Sequence, residues 1–216
     1  MGRVAAEQRR TELIDATIKI AVAEGLEAAT VRRIAKEAGV PLGTVHYCFG
    51  SKAALIAAVA ESIEQPDLGA EDLGRLPADQ AILAAFREYW RQVGSDRRRQ
   101  LLIYELVAHL SRGGSEARPI AQQLMQRAYG AVLGALETYA AANGRAMPDD
   151  AMLLARGIVA LTDGVSLSWI VDDDDESANR ILEVVALMIG GTVDFLMPKI
   201  EAPDQAGRTE TTEPPA

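Results

Sequence analysis

Side chains that can bind phosphates and base edges are concentrated near the start of the chain, in the stretch GVPLGTVHYCFGSK at 39–52. Thr44 and Tyr47 carry hydroxyl groups that can hydrogen-bond to phosphates or bases, and His46 can donate to either. Lys52 can bring an ammonium group to a phosphate. Small polar and cationic side chains in this combination are suited to binding DNA.

A helix-turn-helix is the element that would present these groups to a duplex. Helical spacing of apolar residues predicts a first helix at about 9–24 and a short second helix that Thr30 caps and Gly39 ends. Pro41 tolerates the first turn of a third helix, which runs to about Cys48. In a helix-turn-helix the second helix of the pair enters the major groove.

The third helix is expected to have an inward and an outward side. Val45 and Phe49 are predicted to enter the core. Ser51 caps a fourth helix, and Lys52 lies in its first turn, where the free helix N–H groups also favour a phosphate. The candidate DNA-binding residues are Thr30, Arg32, Leu42, Gly43, Thr44, His46, Tyr47 and Lys52.

These residues resemble the DNA-binding domain of the TetR/AcrR family of bacterial transcriptional regulators. The two halves of the family motif occur here as TVRRIAKEAGV and PLGTVHYCFGSKAAL, and the likeness covers about 9–60. The resemblance implies an all-α fold, in which a helix-turn-helix domain is joined to a larger helical ligand-binding and dimerisation domain. It also implies a homodimeric repressor, released from a pseudo-palindromic double-stranded DNA operator by a small-molecule effector.

The chain departs from the family pattern at several positions. Pro41 stands where serine or threonine is common, His46 where tyrosine is most common, and Cys48 where histidine or tyrosine is common. Ala53 and Ala54 lack the glutamate that would close a capping box. These differences bear on the phosphate contacts and the operator sequence, not on the fold.

Charge is distributed unequally along the 216 residues, whose net charge is −9. Residues 1–60 hold eight basic and six acidic side chains, whereas the remainder holds 14 basic and 25 acidic ones. Local charge decides whether a phosphate backbone is attracted, so a weakly basic head on an acidic body is compatible with DNA. The single cysteine, Cys48, and the lack of a secretory signal or a long uncharged apolar stretch predict a cytoplasmic protein without a membrane span.

The sequence divides into a helix-turn-helix domain at 1–60, a helical effector-binding and dimerisation domain at 61–200, and a tail at 201–216 that is expected to be disordered. Two prolines and two glycines at 64–78 predict a linker. The predicted helices of the second domain are 79–93, 97–112, 115–142, 149–170 and 177–197.

Aromatic, methionine and polar side chains of the second domain are candidates for an effector site, because small-molecule sites are apolar pockets with a few polar groups. At helical spacing such residues are also ordinary core. Asp163 stands between apolar neighbours, so it meets a polar ligand group, bonds locally or faces solvent. The candidates are Phe86, Trp90, Tyr104, His109, Met125, Tyr129, Asp163, Ser166 and Trp169, with Tyr89 and Thr162 as further polar side chains.

The last two helices carry apolar residues suited either to a four-helix dimer interface or to the intramolecular core. The resemblance favours the dimer, and Gly190 and Gly191 would allow a partner helix to approach closely. The apolar positions are Leu154, Ile158, Leu161, Val165 and Trp169 on one helix, and Ile181, Val184, Leu187, Gly191 and Phe195 on the other.

Two other classes of function are compatible with a helical chain. An enzyme is disfavoured because GVSLS at 164–168 lacks the last glycine of a nucleophile elbow and follows no strand. Only His46 and His109 are available, and phosphate-loop, zinc and dinucleotide motifs are absent, so no cofactor or metal is expected. The alternative of a helical dimeric binding or scaffold protein without DNA binding shares the whole fold.

Two isolated features have simple interpretations. The acidic run DDDDE at 172–176 lacks the glycine and later glutamate of a calcium loop, and it is interpreted as a solvated loop favoured by the following helix dipole. Cys48 is interpreted as a small buried side chain, since redox sensing would require exposure and a lowered pKa.

Overall fold

The computed structural model describes residues 3–65, 68, 74, 76–93 and 96–200. This part of the chain is α-helical, as predicted, and its only extended pairing is an isolated bridge between Arg145 and Lys199. A short 3₁₀ turn, Leu26–Ala28, joins the first two helices. The helices are α1 (Arg3–Glu24), α2 (Val31–Glu37), α3 (Leu42–Phe49), α4 (Lys52–Ser62), α5 (Ala78–Val93), α6 (Arg97–Arg112), α7 (Gly114–Asn143), α8 (Ala151–Asp172) and α9 (Asp175–Leu196).

The capping residues expected from the sequence begin the head helices. The Thr30 hydroxyl accepts the Arg33 N–H at 3.4 Å, and the Ser51 hydroxyl accepts the Ala54 N–H at 3.1 Å. The α4 cap therefore forms without the missing glutamate. Gly39 has φ of 65° in the turn between α2 and α3, a left-handed conformation that glycine adopts without strain.

The head core is formed by one face of each helix, and Val45 and Phe49 are buried in it as predicted. Arg10 of α1 fixes the end of α3 by two interactions. Its guanidinium donates to the Cys48 carbonyl and lies 4.2 Å from the centre of the Phe49 ring. Cys48 is half-buried against the same core. α3 is therefore held rigidly with its opposite side exposed.

The head core continues without interruption into the larger part of the molecule. Leu102, Leu106 and Leu110 of α6 and Leu124 of α7 are all buried in one cluster with the head residues. Leu106 is fully buried. The domain boundary at residue 60 remains a sequence prediction, and apolar packing crosses it.

A second core joins α5, the C-terminal half of α7, α8 and α9. α5 and α9 approach so closely that a Cβ on Gly190 would lie 2.6 Å from the Asp79 Cα. Gly190 thus serves an intramolecular helix contact rather than a partner helix, whereas Gly191 is exposed.

The predicted interface positions on α8 require correction. Ile158, Val165 and Trp169 are buried in the protein's own structure, and Leu154 is half-buried against the second core. The reason is that α8 is apolar around much of its circumference, so spacing alone does not show which side faces inward. Of the predicted α8 positions, Leu161 is exposed.

The acidic run forms the corner between α8 and α9 and is more structured than a solvated loop. The Asp174 carboxylate caps α9 by accepting the Ser177 N–H at 3.0 Å. Asp175 accepts the Trp169 indole N–H at 2.6 Å, and Arg97 forms ion pairs with Asp173 and Asp175. Among the described residues, no cluster of three or more metal-ligating side chains occurs.

α8 has a length and composition that would allow it to cross a bilayer, and the pair α3 and α4 meets the same test only as a span bent by 69°. The most apolar window of α8 has a mean hydropathy of 1.4. About a third of that window is buried in the structure, including Ala155 and Val165. The predicted tail at 201–216 and the break at 94–95 lie outside the described residues, as does part of the predicted linker.

We predict that Leu106→Ala lowers the free energy of unfolding by about 2–5 kcal/mol, because it opens a cavity in the core shared by the head and α6. Urea denaturation followed by circular dichroism measures the change. Leu101→Ala, on the same helix but exposed, is the control and should change stability by less than about 0.5 kcal/mol. Equal effects of the two substitutions would contradict the shared core.

Candidate functional site

The candidate DNA-binding residues lie mostly at the surface of the head, on α2, α3 and the start of α4. Tyr47 is 80% exposed and Leu42 is 45% exposed, whereas Thr44 and Lys52 are half-buried. A Cβ on Gly43 would meet nothing within 4 Å, so this position faces open space. We call these eight residues the reading surface: Thr30, Arg32, Leu42, Gly43, Thr44, His46, Tyr47 and Lys52.

Cationic side chains around the reading surface fall into two groups. Arg33 forms a two-pronged ion pair with Glu24, which holds the pKa of that carboxyl below its usual value. In the described part of the chain, Arg32, Lys36 and Lys52 form no ion pair. Their charges are therefore available to an external anion, and Lys36 adds a cation that the candidate set omitted.

A cavity of about 810 Å³ lies in the body between α5, α6, α7 and α8 and reaches the end of α4. This volume is within the range of drug-sized ligand sites. Most of its lining is apolar, and besides Asp163 three charged residues that are exposed or half-buried border it: Glu64, Asp96 and Arg99. The apolar side chains include Ile82, Phe86, Ile103, Val107, Leu124, Met125, Val132 and Leu136.

A small polar cluster interrupts this apolar lining. The Tyr104 hydroxyl lies 3.2 Å from Oδ1 of Asp163 and 3.3 Å from the Asp163 backbone oxygen, and Gln100 Nε2 donates to the Tyr104 oxygen at 3.0 Å. Two buried atoms, Gln100 Oε1 and Ser166 Oγ, have no hydrogen-bond partner among the described residues. The cluster thus has unused hydrogen-bonding capacity.

Burial shifts the ionisation of this cluster. It raises the pKa of the Asp163 carboxyl, although the hydrogen bond from Tyr104 partly opposes the shift. It also raises the pKa of Tyr89 to about 12, with a further contribution from the Asp163 charge, and raises the pKa of Tyr104 for the same two reasons. Both phenols are therefore protonated at neutral pH.

The structure brings together four of the nine predicted effector residues: Phe86, Tyr104, Met125 and Asp163 line the cavity. Ser166 is buried beside the tyrosines and influences their pKa values, but it is not in the lining. Thr162 and Tyr89 do line it.

The remaining candidates lie elsewhere. Trp90 packs on Trp169 with ring centres 4.8 Å apart, Tyr129 lies under Arg156, and His109 is exposed. Sequence reasoning missed Gln100. The sequence did contain a signal, because Gln100 stands at helical spacing with Ile103, Tyr104 and Val107. It is therefore on the same face of α6 as these three residues, which line the cavity.

Three contacts connect the helices around the cavity to the head. Ile63, just after α4, is buried in the head core and also lines the cavity. Arg127 of α7 donates to the Ala60 and Glu61 carbonyls at 2.7 and 2.9 Å, which satisfies the end of α4. Glu105, adjacent to Tyr104, accepts the Leu26 N–H at 2.8 Å in the turn between α1 and α2.

A reading helix on a helix-turn-helix, carried by a helical body with a ligand-sized cavity, defines a DNA-binding transcriptional regulator. The family model for the bacterial regulatory proteins of the tetR family matches residues 13–59. The nicotine-responsive transcriptional repressor HdnoR of Paenarthrobacter nicotinovorans is 29% identical over 188 residues, which cover 80% of this chain and 89% of that protein.

Two further comparisons agree. The transcriptional regulator TtgW of Pseudomonas putida is 32% identical over 102 residues, covering 46% of this chain and 76% of that protein. A transcriptional regulator from Rhodococcus sp. Rha1 has the same fold, with a TM-score of 0.65 at 21% identity, over 85% of this chain and 96% of that one. The chain belongs to the TetR family of bacterial regulatory proteins, and it is a DNA-binding transcriptional repressor rather than an enzyme.

We predict that Tyr47→Ala weakens specific operator binding by about tenfold or more, because a lost base or phosphate contact costs about 1–3 kcal/mol. Fluorescence anisotropy with labelled duplex measures the affinity at several salt concentrations, and log affinity should fall steeply with log salt. His109→Ala, which removes an exposed side chain on α6, is the control and should bind the operator as the wild type does. Unchanged operator affinity of a folded Tyr47→Ala protein would refute the assignment of the reading helix.

We also predict that Asp163→Asn raises the free energy of unfolding at pH 7 by about 1 kcal/mol, within the range of stabilising substitutions at functional sites. Because the folded-state pKa of Asp163 is raised, the folded state loses stability as pH increases from the ordinary value of 3.8 through the raised value. The advantage of the variant should therefore disappear below pH 3.8. Urea denaturation from pH 3 to 7 tests this, and a pH-independent difference would contradict it.

Proposed function

We propose that the protein is a homodimeric repressor, released from a pseudo-palindromic operator when a small, largely hydrophobic effector occupies the body cavity. The observation that carries the proposal is that this cavity is bordered by Ile63, a residue of the head core. An occupant therefore contacts the part of the molecule that holds the reading surface. Because its DNA target lies in the bacterial cytoplasm, we place the protein there.

A dimer is supported by the apolar side chains that α8 and α9 leave exposed. Leu153 and Val171 on α8 are 68% and 74% exposed, and Phe195 on α9 is 83% exposed. An extensive exposed apolar surface of this kind is typical of a protein–protein interface. The face also includes Leu161, Ile181, Val184, Leu187 and Met188.

Small residues on the same helices would allow two copies to approach closely. Gly157 and Gly191 are exposed, and a Cβ on either of them would meet nothing within 4 Å. Pairing α8 and α9 with their copies gives a four-helix interface with two-fold symmetry. That symmetry places two reading helices on successive major grooves, about 34–36 Å apart.

The coupling between effector and DNA is proposed to run through α6 and the end of α4. Gln100 and Tyr104 line the cavity from α6, and Glu105 on the same helix binds the turn before α2. A displacement of α6 by the effector moves this contact and alters the separation of the two reading helices. The responsiveness of HdnoR to nicotine, stated in its name, supports a ligand-controlled mechanism.

Selection from a random duplex library with the purified protein tests the proposal. We expect enrichment of an inverted repeat by the wild type. Phe195→Asp should give a monomer by light scattering and should no longer enrich the repeat, because a charge in the apolar face opposes pairing. Leu101→Asp makes the same charge change on α6 and is the control.

The outcome separates the two functions considered. An inverted repeat bound by a dimer supports the repressor and provides an assay for effectors by release. A folded dimer that enriches no sequence at low salt would favour a scaffold protein without DNA binding.

A further inference from the structure

In the polar cluster of Gln100, Tyr104 and Asp163, some acceptor atoms have no hydrogen-bond partner among the described residues. The Tyr104 hydroxyl directs its only proton to Asp163, so its oxygen can only accept from Gln100. This fixes the Gln100 amide nitrogen towards Tyr104 and leaves Oε1 facing away without a partner among the described residues, on a side chain that is 3% exposed. The unfilled positions at Gln100 and Asp163 are therefore acceptors, which an occupant can fill with donors. The Tyr89 hydroxyl lies in the same cluster, but it forms no hydrogen bond to Gln100 Oε1.

Charge adds a second requirement. Within the described residues, Asp163 forms no ion pair, and one hydrogen bond from a side chain reaches its carboxylate, on Oδ1. Arg99 is the one cationic side chain of the described lining, and it is exposed and unpaired, whereas Glu64 and Asp96 add two more carboxylates. A buried carboxylate without a counter-charge is unfavourable, and a cation from outside would relieve that cost.

We infer that the effector is an amphiphilic organic cation, whose protonated nitrogen donates to the Asp163 carboxylate and to Gln100 Oε1 while its apolar part fills the rest of the cavity. The inference rests on the proposed function of the cavity as the effector site. The rings of Phe86 and Tyr89 in the lining provide aromatic faces that also attract a cation. A carboxylate or phosphate ligand would face three acidic groups and is disfavoured.

The apolar lining of the cavity indicates the chemistry of the rest of the effector. Ile103, Val107, Leu124 and Met125 lie on α6 and α7, and they offer no charged partner to a second polar group. The cavity of about 810 Å³ exceeds the volume of a small amine. The expected class is thus a hydrophobic amine with one charged end, rather than a polyamine or a compact quaternary ion.

Three probes that share a phenylbutyl frame test the charge requirement: 4-phenylbutylamine, 4-phenyl-1-butanol and 4-phenylbutyrate. At pH 7 they are positive, neutral and negative. Isothermal titration calorimetry with the full-length protein measures each dissociation constant. We expect the amine to bind the wild type at least about tenfold more tightly than the alcohol, and the carboxylate to bind most weakly.

Variants at Asp163 connect that preference to one side chain. Asp163→Asn should bring the ratio of amine to alcohol affinity to within about threefold of unity, whereas Asp163→Glu, which keeps the charge, should retain the preference. Asp172→Asn makes the same charge change on the same helix, outside the cavity, and should behave as the wild type. Circular dichroism establishes that each variant is folded.

The outcomes separate the ligand class from the regulatory role. Equal or tighter binding of the alcohol or the carboxylate by the wild type, no binding of the amine, or an undiminished preference in folded Asp163→Asn would overturn the inference. Amine binding that depends on Asp163 supports it even if the amine fails to release the operator, in which case the proposed effector mechanism fails alone. If a neutral or anionic compound releases the operator without displacing bound amine, the repressor function is supported. The inference that the effector is a cation is then refuted.

Discussion

The apolar contact between the head and α6 is the constraint on which the rest of the structure depends. Leu102, Leu106 and Leu110 complete a core that the four head helices begin. Without them the head would be a small unit with limited apolar burial, and the reading surface would have no fixed relation to the body. Because interiors are close-packed, a displacement of α6 is transmitted to the head rather than absorbed between them.

The polar cluster in the body has the opposite character. Asp163, Tyr104 and Gln100 place hydrogen-bonding groups in surroundings that are otherwise apolar, and two of the buried atoms there lack partners among the described residues. Buried polar atoms without partners lower the stability of the folded state. In the head, by contrast, the polar groups at the helix ends have partners. Arg10 bonds the end of α3, and the caps of α2 and α4 bond the N–H groups of their own first turns.

Sequence periodicity and capping rules predicted the helices well where one apolar face and a distinct cap coincide. α6 was expected at 97–112 and runs from Arg97 to Arg112. α1 begins at Arg3 rather than near residue 9, because its first turns carry no apolar face that would reveal them. The inward side of α8 was wrongly assigned because both of its sides are apolar. The pairing of Trp90 with Trp169 and the position of Gln100 depend on distances between helices, which no local pattern contains.

The two walls of the cavity belong to different cores. Ile63 and Leu124 are part of the head core, whereas Ile82 and Phe86 of α5 pack with α8 and α9. Substitutions in the cavity lining are therefore expected to have different effects on the two sides. Substitutions on the α5 side that leave its packing on α9 unchanged can alter which compounds are recognised while operator affinity is preserved. Substitutions at Ile63 and Leu124 change recognition and gene control together, so new chemical sensitivities are expected to arise mainly from the α5 side.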